Sequence, residues 1–186
     1  FVENFSGDAL DTDRWLLSNT GTSAMSDTVD GGYELNSGAT AGNESYMSFN
    51  AIEQYAPQNS VLIVVFKMAT ASGGRRLLIG LNGSLNTAKP SSLISWDSTQ
   101  SNYGIWTGDA SAVTQIYGTT VLDNVFHTHK LTNSSSNVIF QIDGVTNITK
   151  TTNIPDSKME PYAGSYNQGS ANTSEVRIRY MEAYNT

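Results

Sequence analysis

The sequence has no cysteine among its 186 residues, which excludes disulfides, thiolate zinc sites, iron–sulfur clusters and cysteine nucleophiles. Basic residues are few as well: ten Lys and Arg stand against seventeen Asp and Glu, so the formal net charge is −7. Nucleic acid binding needs clustered cations, and anionic lipid repels an acidic surface, so we expect neither as a partner. The longest apolar run, residues 61–66, is too short to insert across a bilayer.

Polar uncharged residues dominate instead: Ser, Thr and Asn fill 60 positions and Gly fills 16. Ser and Asn compete for the backbone hydrogen bonds of a helix, whereas Thr, Val, Ile, Tyr and Phe suit a pleated sheet. We therefore expect an all-β chain, folded over residues 1–186 as a single antiparallel β-sandwich of two sheets. Because the chain begins at Phe1 rather than Met, we also expect it to be processed or excised from a longer protein.

Short β-prone runs alternate with Gly, Asn, Ser and Asp clusters along the whole sequence. The runs predict strands at 1–5, 32–36, 45–52, 60–69, 75–81, 92–96, 103–107, 112–118, 125–132, 137–142, 145–149, 160–166 and 174–184. The unbroken apolar stretch at 61–66 predicts a central strand covered on both faces. Asp143-Gly144 is the strongest hairpin signal. One or two helical turns are expected around residues 10–17.

The final predicted strand alternates between apolar and charged residues. A period of two places successive side chains on opposite faces of a sheet. We therefore expect Val176, Ile178 and Tyr180 to point inward and Arg177, Arg179 and Met181 to point outward.

Three sequence blocks occur in an order typical of one superfamily. Residues 5–15 (FSGDALDTDRW) resemble an opening F-x-G-x-x-L-D-x-x-x-W. Residues 126–131 and 138–144 (FHTHKL and VIFQIDG) resemble W-H-x-Y-x-L followed by V-x-F-Y-V-D-G. Residues 175–180 (EVRIRY) resemble a closing D-E-V-R-I-Y strand. Together they resemble the concanavalin A-like lectin/glucanase superfamily, especially its laminin-G-like and family-16-glucanase-like members. The resemblance implies a jelly roll with a concave, glycan-binding front sheet.

The sequence lacks the superfamily's catalytic sets. Hydrolysis of a glycosidic bond needs two carboxylates about 5–9 Å apart, and the related glucanases carry E-x-D-x-x-E on one strand. No such triplet is present, and the acids nearest the expected strand are Asp97 and Asp109. Residues 163–168 (AGSYNQ) resemble the K-A-G-x-Y-N-Q strand of alginate lyases, but the lysine and the companion Q-I-H and R-S-E-L-R strands are missing. We therefore predict no catalytic residue.

Glycan binding needs aromatic platforms and planar polar side chains. The segment 92–108 (SLISWDSTQSNYGIWTG) supplies several of both. The predicted carbohydrate-binding residues are Trp96, Trp106 and Tyr103, with Arg75, Tyr166, Asn167 and Gln168 as weaker candidates from neighbouring strands.

The resemblance also implies a structural calcium ion on the convex side, for which Glu3, Asp8 and Glu175 are the candidate ligands. No other cofactor is expected. His127 and His129 lie two residues apart, a spacing that could serve a metal. The family commonly has a packing histidine there, and we interpret the pair as such.

These observations lead to one main prediction and two alternatives. The main prediction is a non-catalytic, lectin-like carbohydrate-binding module, located extracellularly, on a cell surface or on a virion surface. The first alternative is a structural or assembly protein, such as a capsid-decoration or fibre domain with protein partners in a larger surface assembly. The second is a divergent polysaccharide lyase or glycoside hydrolase. The expected ligand is a glycan or polysaccharide.

Overall fold

The computed structural model describes residues 1–5, 10–28, 31–49, 55–70, 75–83, 90–97, 100–109, 111–121, 123–169, 173 and 175–186. Over these ranges the backbone forms strands, turns and bends but no helix. The all-β prediction is confirmed. Within the same ranges, no helix of a length and apolarity suited to crossing a membrane occurs.

The strands, in chain order, are β1 (Val2–Asn4), β2 (Trp15–Asn19), β3 (Ala24–Asp27), β4 (Tyr33–Asn36), β5 (Glu44–Phe49), β6 (Ser60–Thr70), β7 (Arg75–Asn82), β8 (Ser91–Asp97), β9 (Asn102–Gly108), β10 (Val113–Val121), β11 (His127–Asn133), β12 (Val138–Ile142), β13 (Val145–Lys150), β14 (Glu160–Asn167) and β15 (Glu175–Asn185). An eight-stranded sheet has the order β13-β12-β11-β6-β15-β4-β3, with β1 also pairing with β15. A seven-stranded sheet has the order β10-β9-β8-β7-β14-β5-β2. The strand pairs of both sheets are antiparallel.

The two sheets share one buried layer of apolar side chains. Strand β6 lies at the middle of the eight-stranded sheet, between β11 and β15, as the run 61–66 predicts. Its Leu62, Val64 and Phe66 are fully buried in this layer. Ile63 and Val65 on its other face are only half-buried, so that face is covered less than expected. Opposite β6, the seven-stranded sheet contributes inward side chains such as those of Leu77, Ile79, Ile94 and Ile105.

Of the expected helical turns around residues 10–17, a single turn is present at residues 12–14, where the Trp15 amide donates to the Asp11 carbonyl at 3.0 Å. It leads directly into strand β2 and does not continue as a helix. Trp15 is buried, Leu16 is 48% exposed, and Leu17 packs against the core. This alternation has the period of a strand, so burial of Trp15 and Leu17 outweighs the local preference for a turn of helix.

A bulge in β15 changes the face of its second half. Ile178 pairs with Phe66 and Tyr180 with Val65, so one extra residue is inserted on β15. Val176 and Ile178 point inward as predicted, but after the bulge Met181 and Ala183 are the buried residues. The prediction is therefore wrong for Tyr180 and Met181, because an inserted residue shifts the alternation by one.

The hairpin at Asp143-Gly144 joins β12 to β13 as predicted. Both residues have positive φ, 49° and 81°, which is the conformation of a type I′ turn. Asp143 also receives hydrogen bonds that tie the hairpin to β11, because the Thr128 amide donates to its carboxylate at 2.9 Å.

His129 is a histidine of the core, as the sequence analysis expected. Its side chain is fully buried and stacks on Phe66 with ring centroids 3.9 Å apart. Neither ring nitrogen has a hydrogen-bond partner among the described residues. Burial lowers the pKa of His129 from 6.5 to about 3, with a smaller contribution from the charge of His127.

This environment predicts a loss of stability in mild acid. In the unfolded chain the His129 imidazole takes up a proton below pH 6.5, whereas in the folded chain it stays neutral to about pH 3. Protonation therefore favours the unfolded chain, and the free energy of unfolding should fall by up to about 1.4 kcal/mol per pH unit across that window. Urea unfolding followed by circular dichroism measures this slope. In His129→Phe, which keeps a ring beside Phe66, the slope should be smaller by one proton's contribution. An unchanged slope would contradict the prediction.

Candidate functional site

The side chains of the seven-stranded sheet that point away from the core form one continuous surface, which we call the outer face. Because successive side chains of a strand point to opposite faces of the sheet, each residue next to a core residue lies on the outer face. Ile79, for example, points inward and Leu78 points outward. Aromatic, charged and amide side chains cluster on this face. They are Glu44, Tyr46, Arg76, Ser95, Asp97, Trp106, Gln115, Tyr117, Tyr162 and Tyr166.

Strand register brings four of these residues into one row. Tyr166 of β14 pairs with Glu44 of β5 on one side and with Arg76 of β7 on the other. Arg76 in turn pairs with Asp97 of β8. The row therefore runs carboxylate, phenol, guanidinium, carboxylate across four adjacent strands, which are about 4.8 Å apart.

Arg76 is the most connected residue of the row. Its Nη2 lies 3.5 Å from Asp97 Oδ2, and both side chains are largely shielded from solvent. Its guanidinium also lies over the Trp106 ring, 4.9 Å from the ring centroid. The Arg76 Nε is buried and has no hydrogen-bond partner in the described part of the chain. The guanidinium is thus held by one ion pair and one cation–π contact, while its buried Nε–H is unsatisfied among the described residues.

Tyrosines border this row on both sides. The rings of Tyr46 and Tyr162 stack with centroids 6.0 Å apart, and Tyr117 of the edge strand β10 pairs with Gly104. Burial raises the pKa of Tyr166, with a smaller contribution from the charge of Glu44. Burial likewise raises the pKa of Tyr117, and the charge of Asp97 adds to the shift. Both phenols therefore keep their protons at neutral pH and can donate as well as accept hydrogen bonds.

The predicted carbohydrate-binding residues divide between the two sides of the sheet. Trp106 and Tyr166 lie on the outer face, whereas Trp96 and Tyr103 are 4% and 0% exposed and belong to the core. The prediction of a glycan-stacking role for Trp96 and Tyr103 is therefore corrected, because a sugar cannot reach rings packed between the sheets.

The weaker candidates are also separated. Asn167 is buried on the core side and its Nδ2 donates to the Gly38 carbonyl at 2.8 Å, while Gln168 is exposed just after β14. Arg75 is the first residue of β7, and its side chain lies outside the described part of the structure.

Several outer-face residues are not among the predicted set, notably Arg76, Tyr46 and Tyr162. The sequence SSLISWD of β8 and RRLLIGLN of β7 show little apolar alternation. The sequence therefore does not show which alternate residues of these strands face outward, and it does not show whether Arg75 or Arg76 lies on the outer face. The pairing of Arg76 with Tyr166 and Asp97 depends on the order of strands in the sheet and is visible only in the tertiary structure.

The predicted calcium ligands are not brought together. Glu3 pairs with Met181 of β15, six residues from Glu175, which corresponds to about 20 Å along a strand. Glu3 accepts a hydrogen bond from Trp15 Nε1 at 3.2 Å, and Glu175 accepts one from Asn36 Nδ2 at 3.1 Å. Asp8 lies outside the described residues. Within the described ranges, no group of three or more His, Asp or Glu side chains is arranged to hold a metal ion.

His127 lies between two carboxylates, one four residues earlier in the sequence and one in the β12–β13 hairpin. Its Nδ1 contacts Asp143 and its Nε2 lies 3.0 Å from Asp123 Oδ1. Partial burial lowers the pKa of His127, but the hydrogen bonds that its ring donates to Asp143 and Asp123 outweigh this effect, and the pKa is raised. Since the carboxylates lie on opposite sides of the ring, the cluster ties the loop before β11 to the β12–β13 hairpin.

Comparison with known proteins identifies the fold. No family model matches the sequence, and no curated protein matches it. Solved structures do match over the whole chain. An apo Crh5 transglycosylase is 16% identical, with a TM-score of 0.73, covering 100% of this chain and 84% of its own. A Bacillus licheniformis β-glucanase is 15% identical, with a TM-score of 0.71, covering 100% and 97%. The chain has the concanavalin A-like jelly-roll fold.

A third similar structure is a glycoside hydrolase family 16 endo-glucanase from Bacteroides ovatus, in complex with G4G3G-2F-DNP. It is 13% identical, with a TM-score of 0.69, covering 99% of both chains. These similar structures are a transglycosylase and glucanases rather than lectins, and the main prediction of a non-catalytic lectin-like module is corrected on that ground. They lend no support to the laminin-G-like, viral-surface or structural-assembly readings. At 13–16% identity the likeness establishes the fold alone.

The two tryptophans of the β8–β9 hairpin should differ in their effect on stability. Trp96→Ala removes a ring from the core and should lower the free energy of unfolding by about 3–5 kcal/mol. Trp106→Ala removes a partly buried ring of the outer face and should cost about 1 kcal/mol. Urea unfolding of both variants measures the difference. Equal losses would contradict the assignment of the two rings to opposite faces.

Proposed function

We propose that this chain is a divergent polysaccharide-active enzyme of the glycoside hydrolase or transglycosylase type. The glycan lies across the outer face of the seven-stranded sheet, over the row of Tyr166, Arg76 and Asp97. The observation that carries the proposal is the Arg76–Asp97 ion pair set among Trp106, Tyr117 and Tyr166. An extracellular or surface location is part of the proposal, because polysaccharides are found there.

The composition of the outer face suits a sugar chain. Aromatic rings can pack against the apolar faces of pyranoses, and amide and hydroxyl groups can bind their hydroxyls. Gln115 Nε2 already donates to Ser95 Oγ at 3.0 Å, which orients the amide on the face. The similarity of the fold to glucanases and a transglycosylase supports a glycan as the substrate class.

Asp97 is the candidate catalytic carboxylate. It stands on the outer face of β8, in reach of a sugar lying over Trp106, and Arg76 holds it at 3.5 Å. A carboxylate in this position can attack the anomeric carbon or stabilise an oxocarbenium-like transition state. The outward positions before it on the strand hold Leu93 and Ser95, so β8 presents one carboxylate rather than a triplet.

The proton donor is not one of the other acids of the outer face that the structure describes. Glu44 lies three strands from Asp97 in the same row, about 14 Å by strand spacing. Glu160 lies at the opposite end of the sheet, paired with Asn82. The distances of Glu44 and Glu160 from Asp97 are therefore longer than the separation of about 5–9 Å between paired carboxylates in glycosidases.

Substitution of Asp97 tests the proposal. Asp97→Asn should lower the release of reducing ends from mixed-linkage β-glucan or β-1,3-glucan by at least about 100-fold, because the amide cannot act as a nucleophile or base. Binding of the glucan should be retained. Reducing-end assays and affinity electrophoresis measure the two effects, and exposed Asp13→Asn is the matched control. If the wild-type chain does not cleave, transfer or bind either mixed-linkage β-glucan or β-1,3-glucan, the proposal fails.

A second candidate reaction is β-elimination on a polyuronate. It is favoured by the register pairing of Tyr166 with Arg76, which sets a phenol beside a guanidinium. The protonated phenol can donate its proton to the leaving glycosidic oxygen while a second group removes the proton from the carbon beside the carboxylate, and the guanidinium can neutralise the uronate. Elimination leaves an unsaturated product that absorbs ultraviolet light, whereas hydrolysis and transglycosylation do not. The two reactions are therefore separated by one spectrophotometric assay on alginate and polygalacturonate.

A further inference from the structure

Gly164 occupies the middle of the outer face, where two tyrosine side chains converge. It lies in β14 between Tyr162 and Tyr166 and pairs with Tyr46 on β5 and Leu78 on β7. A methyl group at position 164 would stand 2.6 Å from Tyr162 Oη and 2.9 Å from both Cε2 and Oη of Tyr166. These separations are too short for real carbon contacts, so any larger residue would displace both phenols.

The three atoms nearest to that methyl position are all at the ends of side chains. The glycine is therefore not required by a close approach of backbone, in contrast to Gly80, whose added Cβ would lie 2.2 Å from the Ser92 carbonyl oxygen. Its φ is not in the left-handed region either. Because Gly164 has no side chain, the phenol groups of Tyr162 and Tyr166 can pack over it from the two directions along the strand.

The Tyr162 hydroxyl gives this arrangement a second feature. The Tyr162 side chain is 1% exposed, and its hydroxyl has no hydrogen-bond partner among the described residues. A buried hydroxyl without a partner costs free energy that a ligand can recover by hydrogen bonding to it. The hydroxyl lies over Gly164 beside the half-buried Tyr166 and is itself buried, so a ligand that binds it must displace the groups that cover it.

A glycine also adjoins the tyrosine at the other side of the face. A methyl group on Gly104 would lie 2.9 Å from Tyr117 Cδ1, although here the Ile116 carbonyl oxygen is nearer, at 2.7 Å. The row that runs from Tyr46 through Gly164, Leu78, Ser95 and Gly104 to Tyr117 therefore has a tyrosine beside a glycine at each end. Of these two glycines, Gly164 is the one whose nearest neighbours are all side-chain atoms.

We propose that Gly164 is a positioning residue of the glycan site and that Tyr162 is a specificity-determining residue. Gly164 holds the phenols of Tyr162 and Tyr166 together, and the two hydroxyls bind adjacent hydroxyl groups of an uncharged pyranose. Each phenol both donates and accepts a hydrogen bond, which matches the two hydroxyls of a sugar diol. The inference rests on the proposed function, because it assumes a glycan on this face.

Calorimetric titration with a mixed-linkage β-glucan tetrasaccharide tests the inference through two variants. Gly164→Ala should weaken binding by about tenfold or more, because it displaces both phenols. In a Tyr166→Ala background the same substitution should have a smaller effect, since only the Tyr162 phenol is left to displace and the two changes are then not additive. Full additivity of the two effects would overturn the positioning role.

Tyr162→Phe provides a test that does not depend on tolerance of a larger residue at 164. It removes a hydroxyl that has no partner in the described structure, so thermal stability should be unchanged or increased. Affinity for the tetrasaccharide should nevertheless fall several-fold. Unchanged affinity in this variant would overturn the specificity role.

A destabilised control separates binding effects from loss of folding. Val138→Ala creates a cavity in the eight-stranded sheet and should lower stability without changing affinity. Tyrosine ring signals in NMR spectra should shift for Tyr162 and Tyr166 in Gly164→Ala and stay in place in Val138→Ala. If the wild-type chain binds no glycan, the proposed function and this inference both fail. If it binds and Gly164→Ala binds equally well, the inference alone fails.

Discussion

Alternation of side chains along each strand is the constraint on which the rest of this structure depends. The two sheets bury a common layer, so each strand must present one set of alternate residues to it. Ile94 and Trp96 of β8 are in that layer, and Ser95 and Asp97 are therefore on the outer face. A shift of one residue in β8 would exchange the core tryptophan with the carboxylate of the candidate site. The residues that pack in the core therefore determine which residues lie on the outer face.

The chemistry of the outer face comes from the register between strands rather than from any one of them. No strand carries more than a few of its functional groups, and Arg76, Asp97 and Tyr166 come from β7, β8 and β14. Strands β7 and β14 are far apart in the chain and adjacent in the sheet. A site of this kind exists only when the long-range pairing is complete, which couples the candidate site directly to the fold.

The presence of this fold without the E-x-D-x-x-E triplet has a physical explanation. A sandwich requires apolar residues at alternate positions and turns between strands, and many sequences satisfy both. Glycosidic bond cleavage requires carboxylates at particular separations, which few sequences satisfy. The positions Leu93, Ser95 and Asp97 on the outward side of β8 meet the requirement for alternation while supplying a single carboxylate. Substrate and reaction must therefore be argued from the outer face itself.

The sequence by itself determined the fold class and most strand positions, because turn residues and β-prone runs are local signals. It predicted the hairpin at Asp143-Gly144 and the central position of β6. It did not determine which residues face outward in β7 and β8, where apolar residues occupy both phases, nor the bulge that turns Met181 inward. Only the tertiary structure decided that Trp106 and Tyr166 share a face with Arg76 while Trp96 and Tyr103 lie in the core. The reason is that a strand's phase is set by the sheet packed against it, which is formed by residues distant in sequence.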